Sequence, residues 1–421
     1  MTKKNTMLNG NGRRWLLTSA LVVLAAGTSV RGQWPQFGGP GRDFKANAKS
    51  LSIDWEEGGP ETVWMEEIAM GASPPVVDDG VVWIMDRFDE FDESVYPRNA
   101  ISGERLSTLR YPAPISDRFE PKYGEGPVAS PLMLNGFSYT VGFTGKIQCF
   151  DLKIPKVLWA ASLFLDYDAT PLKYGYTSSP IAYKDNVIMQ VGGGMVGLIS
   201  FETPYAKVAW GSPTFENSYT SPILINVDGQ DQIVAMAADR TVGVDATNGK
   251  ELWTIDHQNE NYAYLSTPVW GKDGLLFLPA GGKGFSRMLK LEQKNGRTRV
   301  ERVWSSNKDE LGYGNVIRVD DYLYGSSGSD GASFITAVNA KTGEIAWREK
   351  GFARAAMVYG DKKFIIRDAE GYVAIATLTP KKMTVHSKAR VLEPGPCSAP
   401  ALVRRTLFIR DHKTVMALDL R

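Results

Sequence analysis

The chain has 421 residues, of which 43% are hydrophobic and 11% aromatic, so it can bury a large core and does not have the composition of a disordered protein. Its 48 Lys and Arg residues balance 47 Asp and Glu residues. This balance gives neither the basic surface of a nucleic-acid-binding protein nor an acidic tail, so nucleic acid is not an expected partner.

The first 32 residues have the order of a secretory signal: basic residues, an apolar run at 16–26, and small residues before Gln33. An uncleaved membrane anchor is the rival interpretation, but a bilayer span needs roughly 20 apolar residues and this run is shorter. We predict a signal peptide over 1–32, export to the periplasm, the extracellular space or the cell surface, and no stable membrane anchor after cleavage. The export route, general or twin-arginine, stays open.

An entry segment at 33–60 is followed by a repeated pattern. Each unit opens on Ser-Pro or a variant, runs through about four short apolar stretches separated by turns, and ends at a Trp, as in TNGKELW (247–253) and KTGEIAW (341–347). Four short strands per repeat predict propeller blades, and the near absence of helical periodicity excludes a helical solenoid. The units start near residues 73, 130, 179, 221, 267, 315, 355 and 398.

The two ends of the repeat region complement each other. The last unit ends one strand short at residue 421, whereas ETVWMEEI (61–68) resembles the Trp-bearing final strand of the other units and has no unit of its own. We therefore predict an all-β fold, an eight-bladed β-propeller of four-stranded blades over 61–421, in which this N-terminal strand completes the last blade and removes an exposed edge. Each repeated Trp should dock between neighbouring blades.

These motifs resemble those of a known family of repeats. The Ser-Pro opening and the A/D-x-x-T-G-K/E-x-x-W ending resemble the PQQ-like, or quinoprotein-type, β-propeller repeat, and WPQFGGPGR (34–42) is similar to the start of secreted members of the planctomycete type. The resemblance covers roughly residues 34–421. It implies the fold but leaves the function open, because this superfamily includes PQQ-dependent dehydrogenases, the outer-membrane-assembly lipoprotein BamB, and exported proteins of unassigned role.

The resemblance to quinoprotein dehydrogenases implies PQQ held over a calcium ion, with a catalytic Asp and often a disulfide between adjacent Cys residues. The chain has only Cys149 and Cys397, and no Asp matches the catalytic position by a motif. We therefore expect no cofactor, no metal and no catalytic residue, with a PQQ- and calcium-dependent oxidoreductase as one alternative. A BamB-like assembly factor is the other alternative, although no lipid-attachment Cys follows the apolar run.

Other chemistry-bearing residues receive structural interpretations. The two cysteines fall in units 2 and 8, so we expect two buried free thiols rather than a bridge. The acid-rich stretch DRFDEFDESVYP (86–97) lacks the ligand spacing of a calcium loop and is interpreted as a solvated insertion in blade one. The scattered histidines are expected in surface or turn positions: His257, His386 and His412.

One pattern goes beyond the fold. Before the inner strand of five consecutive units, an acid is followed within a few residues by tyrosine. In a propeller these segments reach one face near the channel mouth, so they would form an anionic, aromatic funnel suited to a cationic peptide or a polyhydroxy ligand. The alternative is that the tyrosines only pack between blades. The candidate binding residues are Glu120, Tyr123, Tyr174, Tyr176, Glu216, Tyr219, Glu260, Tyr264, Glu310, Tyr313 and Arg354.

The sequence thus predicts an exported, monomeric, non-catalytic binding or scaffold protein. Its expected partner is an envelope protein, a peptide or a glycan.

Overall fold

The computed structural model describes residues 33–120, 122, 124–154, 156–256, 266–280, 284–308, 311–327 and 333–421. Eight four-stranded antiparallel sheets follow one another in a ring, which confirms the predicted eight-bladed propeller. The helical element of the described part is α1 (Leu163–Tyr167). No helix in these ranges is long and apolar enough to cross a membrane. The predicted signal peptide lies outside the described residues.

The first strand, β1 (Glu61–Glu67), belongs to the last blade, and blades 1 to 4 follow in chain order. Their strands, from the inner to the outer edge of each blade, are β2 (Val76–Asp78), β3 (Val81–Arg87), β4 (Asp92–Asn99) and β5 (Leu109–Pro112); β6 (Leu132–Leu134), β7 (Phe137–Val141), β8 (Lys146–Asp151) and β9 (Lys156–Ser162); β10 (Ile181–Tyr183), β11 (Asn186–Gln190), β12 (Leu198–Glu202) and β13 (Lys207–Gly211); and β14 (Ile223–Val227), β15 (Gln230–Met236), β16 (Arg240–Asp245) and β17 (Glu251–Asp256).

Blades 5 to 8 repeat this order. Their strands are β18 (Val269–Trp270), β19 (Leu275–Leu278), β20 (Ser286–Lys294) and β21 (Arg297–Ser306); β22 (Tyr313–Val319), β23 (Tyr322–Ser326), β24 (Ile335–Asn339) and β25 (Ile345–Glu349); β26 (Ala356–Gly360), β27 (Lys363–Arg367), β28 (Tyr372–Leu378) and β29 (Met383–Arg390); and β30 (Ala401–Val403), β31 (Thr406–Arg410) and β32 (Thr414–Asp419).

Blade 8 closes the ring as predicted. Strand β1 pairs antiparallel with β32, from Glu61 opposite Asp419 to Glu67 opposite Thr414. The blade therefore takes its outer strand from the N-terminal side and its other three strands from the C-terminal side, so β32 has no unpaired edge.

Burial follows from the face-to-face packing of blades. Strand β11 is buried except at its first residue, whereas β13 buries only Trp210. Ile188 of blade 3 lies in one apolar cluster with Ile233 and Val242 of blade 4. The middle strands are therefore apolar on both faces, because each blade is covered on both sides, and the core lies between the blades.

The repeated Trp docks between neighbouring blades, as predicted. The indole nitrogen of Trp304 in blade 5 donates to the carbonyl of Ala340 in blade 6 at 2.8 Å. Its ring lies against Gly343, which has a φ of 76°; a Cβ at this position would lie only 2.8 Å from the ring, so only glycine fits. Trp64 of blade 8 and Gly103 of blade 1 repeat this arrangement. The Thr-Gly turn and the Trp are thus two halves of one contact between blades.

The Ser-Pro opening joins the inner strands. The Ser179 hydroxyl accepts a hydrogen bond from the backbone N–H of Ser130, and the Ser221 hydroxyl accepts one from Ser179, each at 2.9 Å. In the unit that lost its Ser-Pro, Asn315 makes two bonds to the backbone of Met357 in the next blade. These side chains satisfy backbone groups that lie between inner strands and would otherwise be unpaired.

The entry segment lies across the central channel. Trp34 pairs with Val77 of blade 1, and the backbone of Phe44 and Ala46 pairs with Tyr359 of blade 7. Between these points, the Arg42 guanidinium donates to carbonyls of blades 3 and 4, those of Pro180 and Pro222, at 3.0 and 2.9 Å. Blades 3 and 7 are opposite each other in a ring of eight, so the segment spans the channel. Burial lowers the pKa of Arg42 to about 9.

The prediction of two buried thiols is wrong for one of them. Both cysteines are free, but only Cys149 is buried, whereas Cys397 is partly exposed in the loop before β30. Burial raises the pKa of Cys149 to about 11. We expect a disulfide reagent such as DTNB to modify Cys397 at least about tenfold faster than Cys149, because the thiolate is the reactive form. Loss of the fast phase in Cys397→Ser checks the assignment, and equal rates for both thiols would contradict it.

Candidate functional site

The antiparallel order of each blade gives the propeller two different faces. The loops from an outer strand to the next inner strand emerge on the same face as the loops between the second and third strands of each blade. We call this face the loop face. All the described candidate residues lie in or next to loops of this face, because the acid-and-tyrosine segments precede inner strands.

Three of the candidate residues form a continuous chain across consecutive loops. The rings of Tyr174 and Tyr219 stack with centroids 6.1 Å apart and planes 25° apart, and the Tyr219 hydroxyl accepts a 3.2 Å bond from the backbone N–H of Tyr174. The neighbouring Lys173 ammonium lies 2.8 Å from the Glu120 carboxylate. The loops that enter blades 2, 3 and 4 are thereby connected.

Lys173 was missed by the sequence analysis, and it changes the expected electrostatics. Because its ammonium pairs with Glu120, this acid of the predicted ring does not act as an isolated negative charge. A signal was present, since Lys-Tyr-Gly occurs at 122–124 and again at 173–175. In both copies a lysine directly precedes a candidate tyrosine, Tyr123 or Tyr174.

The other candidate residues separate into different environments. Tyr176 is only 1% exposed and packs edge-on against Phe164 at 5.3 Å, so its ring lies between blades rather than at the channel mouth. Glu216 is exposed. Arg354 lies 5.7 Å from the Tyr313 ring centroid, a cation–π distance between two consecutive loops. Tyr123, Glu260, Tyr264 and Glu310 lie outside the described residues.

The acid-rich stretch 86–97 is solvated only at its tip, residues 88–91, so the prediction of a solvated insertion is wrong for the rest of it. It forms the ends of β3 and β4, and the Glu93 carboxylate is fully buried, 3.0 Å from the Arg87 guanidinium. Glu93 also accepts from the Tyr111 hydroxyl at 2.8 Å and from the backbone N–H of Phe143 at 2.9 Å. Burial raises the pKa of Glu93 to about 7, against the opposing effect of Arg87. Asp86 is buried as well, where it accepts from Tyr96 at 2.7 Å.

Exposed charge is unevenly distributed over the loop face. Among the described residues, the loops of blades 1 to 4 carry eight exposed acids against three exposed bases, Arg118, Lys122 and Lys173. The described loops of blades 6 to 8 carry three exposed bases and two exposed acids. The acidic half, as we call the first group, contains Asp89, Glu90, Asp117, Glu120, Glu125, Asp166, Asp168 and Glu216.

Large apolar side chains stand among these acids. Phe91 is 67% exposed, Leu165 is 86% exposed and Met195 is 61% exposed, each in a loop-face segment of the first three blades.

The donor set for a metal can be tested directly. Among the described residues, no three His, Cys, Asp or Glu side chains converge as ligands for an ion. The buried carboxylates of blade 1 are committed to Arg87, Tyr111 and Tyr96.

Three solved structures that are similar to this chain belong to different kinds of protein. A quinohemoprotein alcohol dehydrogenase from Comamonas testosteroni matches with a TM-score of 0.65 at 12% identity, over 92% of this chain and 80% of that one. BamB from Moraxella catarrhalis matches with a TM-score of 0.57 at 16% identity, over 86% of this chain and 99% of that one. The computationally designed Ika8 protein matches at 0.60 and 10% identity, over 86% and 100% of the two chains. Identities this low show the fold alone.

Eight four-stranded blades, closed by an N-terminal strand and joined by Ser-Pro and Trp contacts, together with the family match below, define a PQQ-like β-propeller. A family model described as outer membrane protein assembly factor BamB matches residues 92–349, more than half of the chain. The chain belongs to this family. No curated protein matches it in sequence.

Proposed function

We propose that this protein is an exported, non-catalytic binding scaffold that holds a cationic, extended polypeptide segment of an envelope protein against the acidic half of the loop face. The observation that carries the proposal is the excess of exposed acids over bases on the loops of four consecutive blades, interspersed with Phe91, Leu165 and Met195. Opposite charge brings such a partner to the surface, and the apolar side chains supply contact area after the encounter.

The Tyr174 and Tyr219 stack lies within this surface. Two half-buried aromatic rings present a rigid face that loses little conformational entropy when a ligand binds. The rings would accept cationic or apolar side chains of the segment, while the acids around them favour Lys and Arg. A glycan would use the same rings without the charge preference, so charge dependence separates the two kinds of ligand.

The test measures fluorescence anisotropy of a labelled, extended peptide of alternating Lys and Leu. We expect Asp117→Asn/Asp168→Asn/Glu216→Gln to weaken binding about tenfold, because each exposed charge contact contributes up to about 1 kcal/mol. Binding should also weaken as salt screens the charges. The matched control, Glu56→Gln/Glu57→Gln/Glu104→Gln, removes as many exposed acids outside the loop face and should change the affinity less than about twofold.

Three results would refute the proposal: equal binding of a charge-reversed Glu-Leu peptide, equal losses in the two triple variants, or no binding by the folded wild type. Calorimetric titration with PQQ and calcium is the second arm. Saturable heat there would favour a quinoprotein oxidoreductase and count against a non-catalytic scaffold.

The family match favours a second, narrower candidate, a role in outer-membrane protein assembly. Under this candidate the bound segment belongs to an assembly partner. Binding of a purified partner domain that is reduced by the loop-face variant, but not by the control variant, would support it.

A further inference from the structure

Three neighbouring blades place an arginine at the last residue of their second strand: Arg367 in blade 7, Arg410 in blade 8 and Arg87 in blade 1. Arg367 and Arg410 are 0% exposed and Arg87 is 4% exposed. Arg87 pairs with Glu93. Arg410 donates from all three guanidinium nitrogens to backbone carbonyls of Asp411, Met85 and Gly71, at 2.6 to 3.0 Å. Two of the three buried arginines are therefore satisfied.

Arg367 is different. Its Nη1 donates to the carbonyl of Pro396 at 2.8 Å, but Nε and Nη2 have no hydrogen-bond partner in the part of the chain that the structure describes. Nε and Nη2 form one edge of the planar guanidinium, and their N–H groups point the same way with the spacing of two oxygens on one oxyanion. A buried charge with an unpaired edge is costly, so this edge needs a partner.

The surroundings of Arg367 favour a negative partner. Arg410 and His412 are both close enough for the Arg367 charge to lower their pKa values, although burial is the larger cause in each case. The acids that directly follow Arg367 and Arg410 in the chain already accept backbone hydrogen bonds. Asp368 accepts the backbone N–H groups of Ala353, Glu370 and Tyr372, and Asp411 accepts those of Glu393, Lys413 and Thr414.

The loop beside Arg367 is partly exposed. Pro396, which bonds to the guanidinium, and Cys397, whose thiol donates to the Arg367 carbonyl at 3.0 Å, are both partly exposed in the loop between β29 and β30. Gly395 and His412 are partly exposed beside them. A small ligand would approach Arg367 past this partly exposed segment of the loop face.

We propose that the free edge of Arg367, between blades 7 and 8, is the binding site of an oxyanion that presents two oxygens to it: a carboxylate, a phosphate or a sulfate. The site is separate from the acidic half of the loop face, which belongs to blades 1 to 4, and does not depend on the function proposed for that surface. Its ligand is an anion, whereas the ligand proposed for the acidic half is cationic.

The experiment titrates the full chain with acetate, inorganic phosphate and sulfate in a chloride-free, zwitterionic buffer, and with a short peptide whose C-terminus is either free or amidated. Binding is followed calorimetrically and by the imidazole NMR signals of the histidines. We expect saturable binding of at least one oxyanion below about 10 mM. The His412 signal should shift and its pKa should rise, because the anion offsets the Arg367 charge. His386, bonded to Thr377, serves as the unaffected reference.

Two variants distinguish two-point hydrogen bonding by the Arg367 guanidinium from nonspecific attraction to positive charge. Arg367→Lys keeps the charge but loses the two-point edge and should weaken binding more than about tenfold. Lys413→Gln, the control, removes an exposed charge next to His412 and should change the affinity less than about twofold. The probes identify the source: preference for the free peptide terminus indicates a carboxylate ligand, and preference for phosphate or sulfate indicates an inorganic or ester group.

The melting temperature of the protein gives a second test, which needs no variant that binds the anion. Without anion, Arg367→Met should melt at the same temperature as the wild type or higher, because it removes an unpaired buried charge. Oxyanion should raise the melting temperature of the wild type only. Failure of every probe to bind the folded wild type, undiminished binding in Arg367→Lys, or a lower melting temperature in anion-free Arg367→Met would each overturn the site.

Discussion

Glu93→Ala should lower the free energy of unfolding by about 3 to 5 kcal/mol, because it leaves the Arg87 guanidinium buried beside blade 1 without a counter-ion. The substitution also removes the acceptor for the Tyr111 hydroxyl and the Phe143 N–H. Urea denaturation at about pH 8, where the carboxylate is ionised, measures the effect. The control is Glu202→Ala, which breaks the exposed Glu202–Lys207 pair of blade 3 and should cost no more than about 1 kcal/mol.

The burial of Glu93 also predicts how the stability of the protein changes with pH. The pKa of Glu93 is raised from 4.5 to about 7 by burial, so the folded protein holds the proton more tightly than the unfolded chain. This contribution is fully present below pH 4.5 and is lost as the pH rises to about 7. Relative to Glu93→Gln, which cannot titrate, the wild type should become less stable across this interval. A parallel course of the two curves would show that Glu93 is solvated.

Trp64→Ala should cost about 3 to 5 kcal/mol of unfolding free energy, the range for truncating a large buried aromatic side chain. Trp64 is 7% exposed, lies on the strand that closes blade 8, and donates to the Ala100 carbonyl at 3.0 Å. Its ring also contacts Phe408 at a centroid distance of 6.0 Å. The loss removes both the contact to blade 1 and a contact within blade 8, and chemical denaturation measures it.

Met65 provides the matched control for Trp64. It is the next residue on the same strand but is 60% exposed, so Met65→Ala should change stability by no more than about 0.5 kcal/mol. Similar losses in the two variants would mean that the closing strand is stabilised by its backbone pairing and not by the docked indole.

The propeller was predictable because its signals are local and repeated. A turn glycine and a Trp occur within seven residues of each other in TNGKELW and KTGEIAW, and Gly249 and Gly343 each lie against the Trp ring of the preceding blade. The closing strand followed from counting strands in the last unit. Neither inference required knowledge of a distant contact, which explains why both are confirmed.

The site was harder to predict because its partners are distant in sequence. The burial of Glu93 depends on Tyr111 and on the backbone of Phe143 in the next blade. Arg42 bonds to carbonyls 138 and 180 residues away. The local sequence does not reveal such distant contacts. The acid-rich stretch is therefore predicted as solvated, and the sequence gives no prediction for the path of the entry segment. Sequence did place Glu120, Tyr174 and Tyr219 on a common face, but whether they bind a ligand stays a prediction.

The pairing of β1 with β32 has a consequence for the order of events in biosynthesis. The strands that join are residues 61–67 and 414–419, so this contact has the longest loop to close in the ring and the largest associated entropy cost. During synthesis the earlier blades can each form from contiguous chain, but the outer strand of the last blade must wait, unpaired, until the final strand has been made. The protein is therefore an open arc of blades until β32 is available to pair with β1, and its circular form is acquired in a single late step.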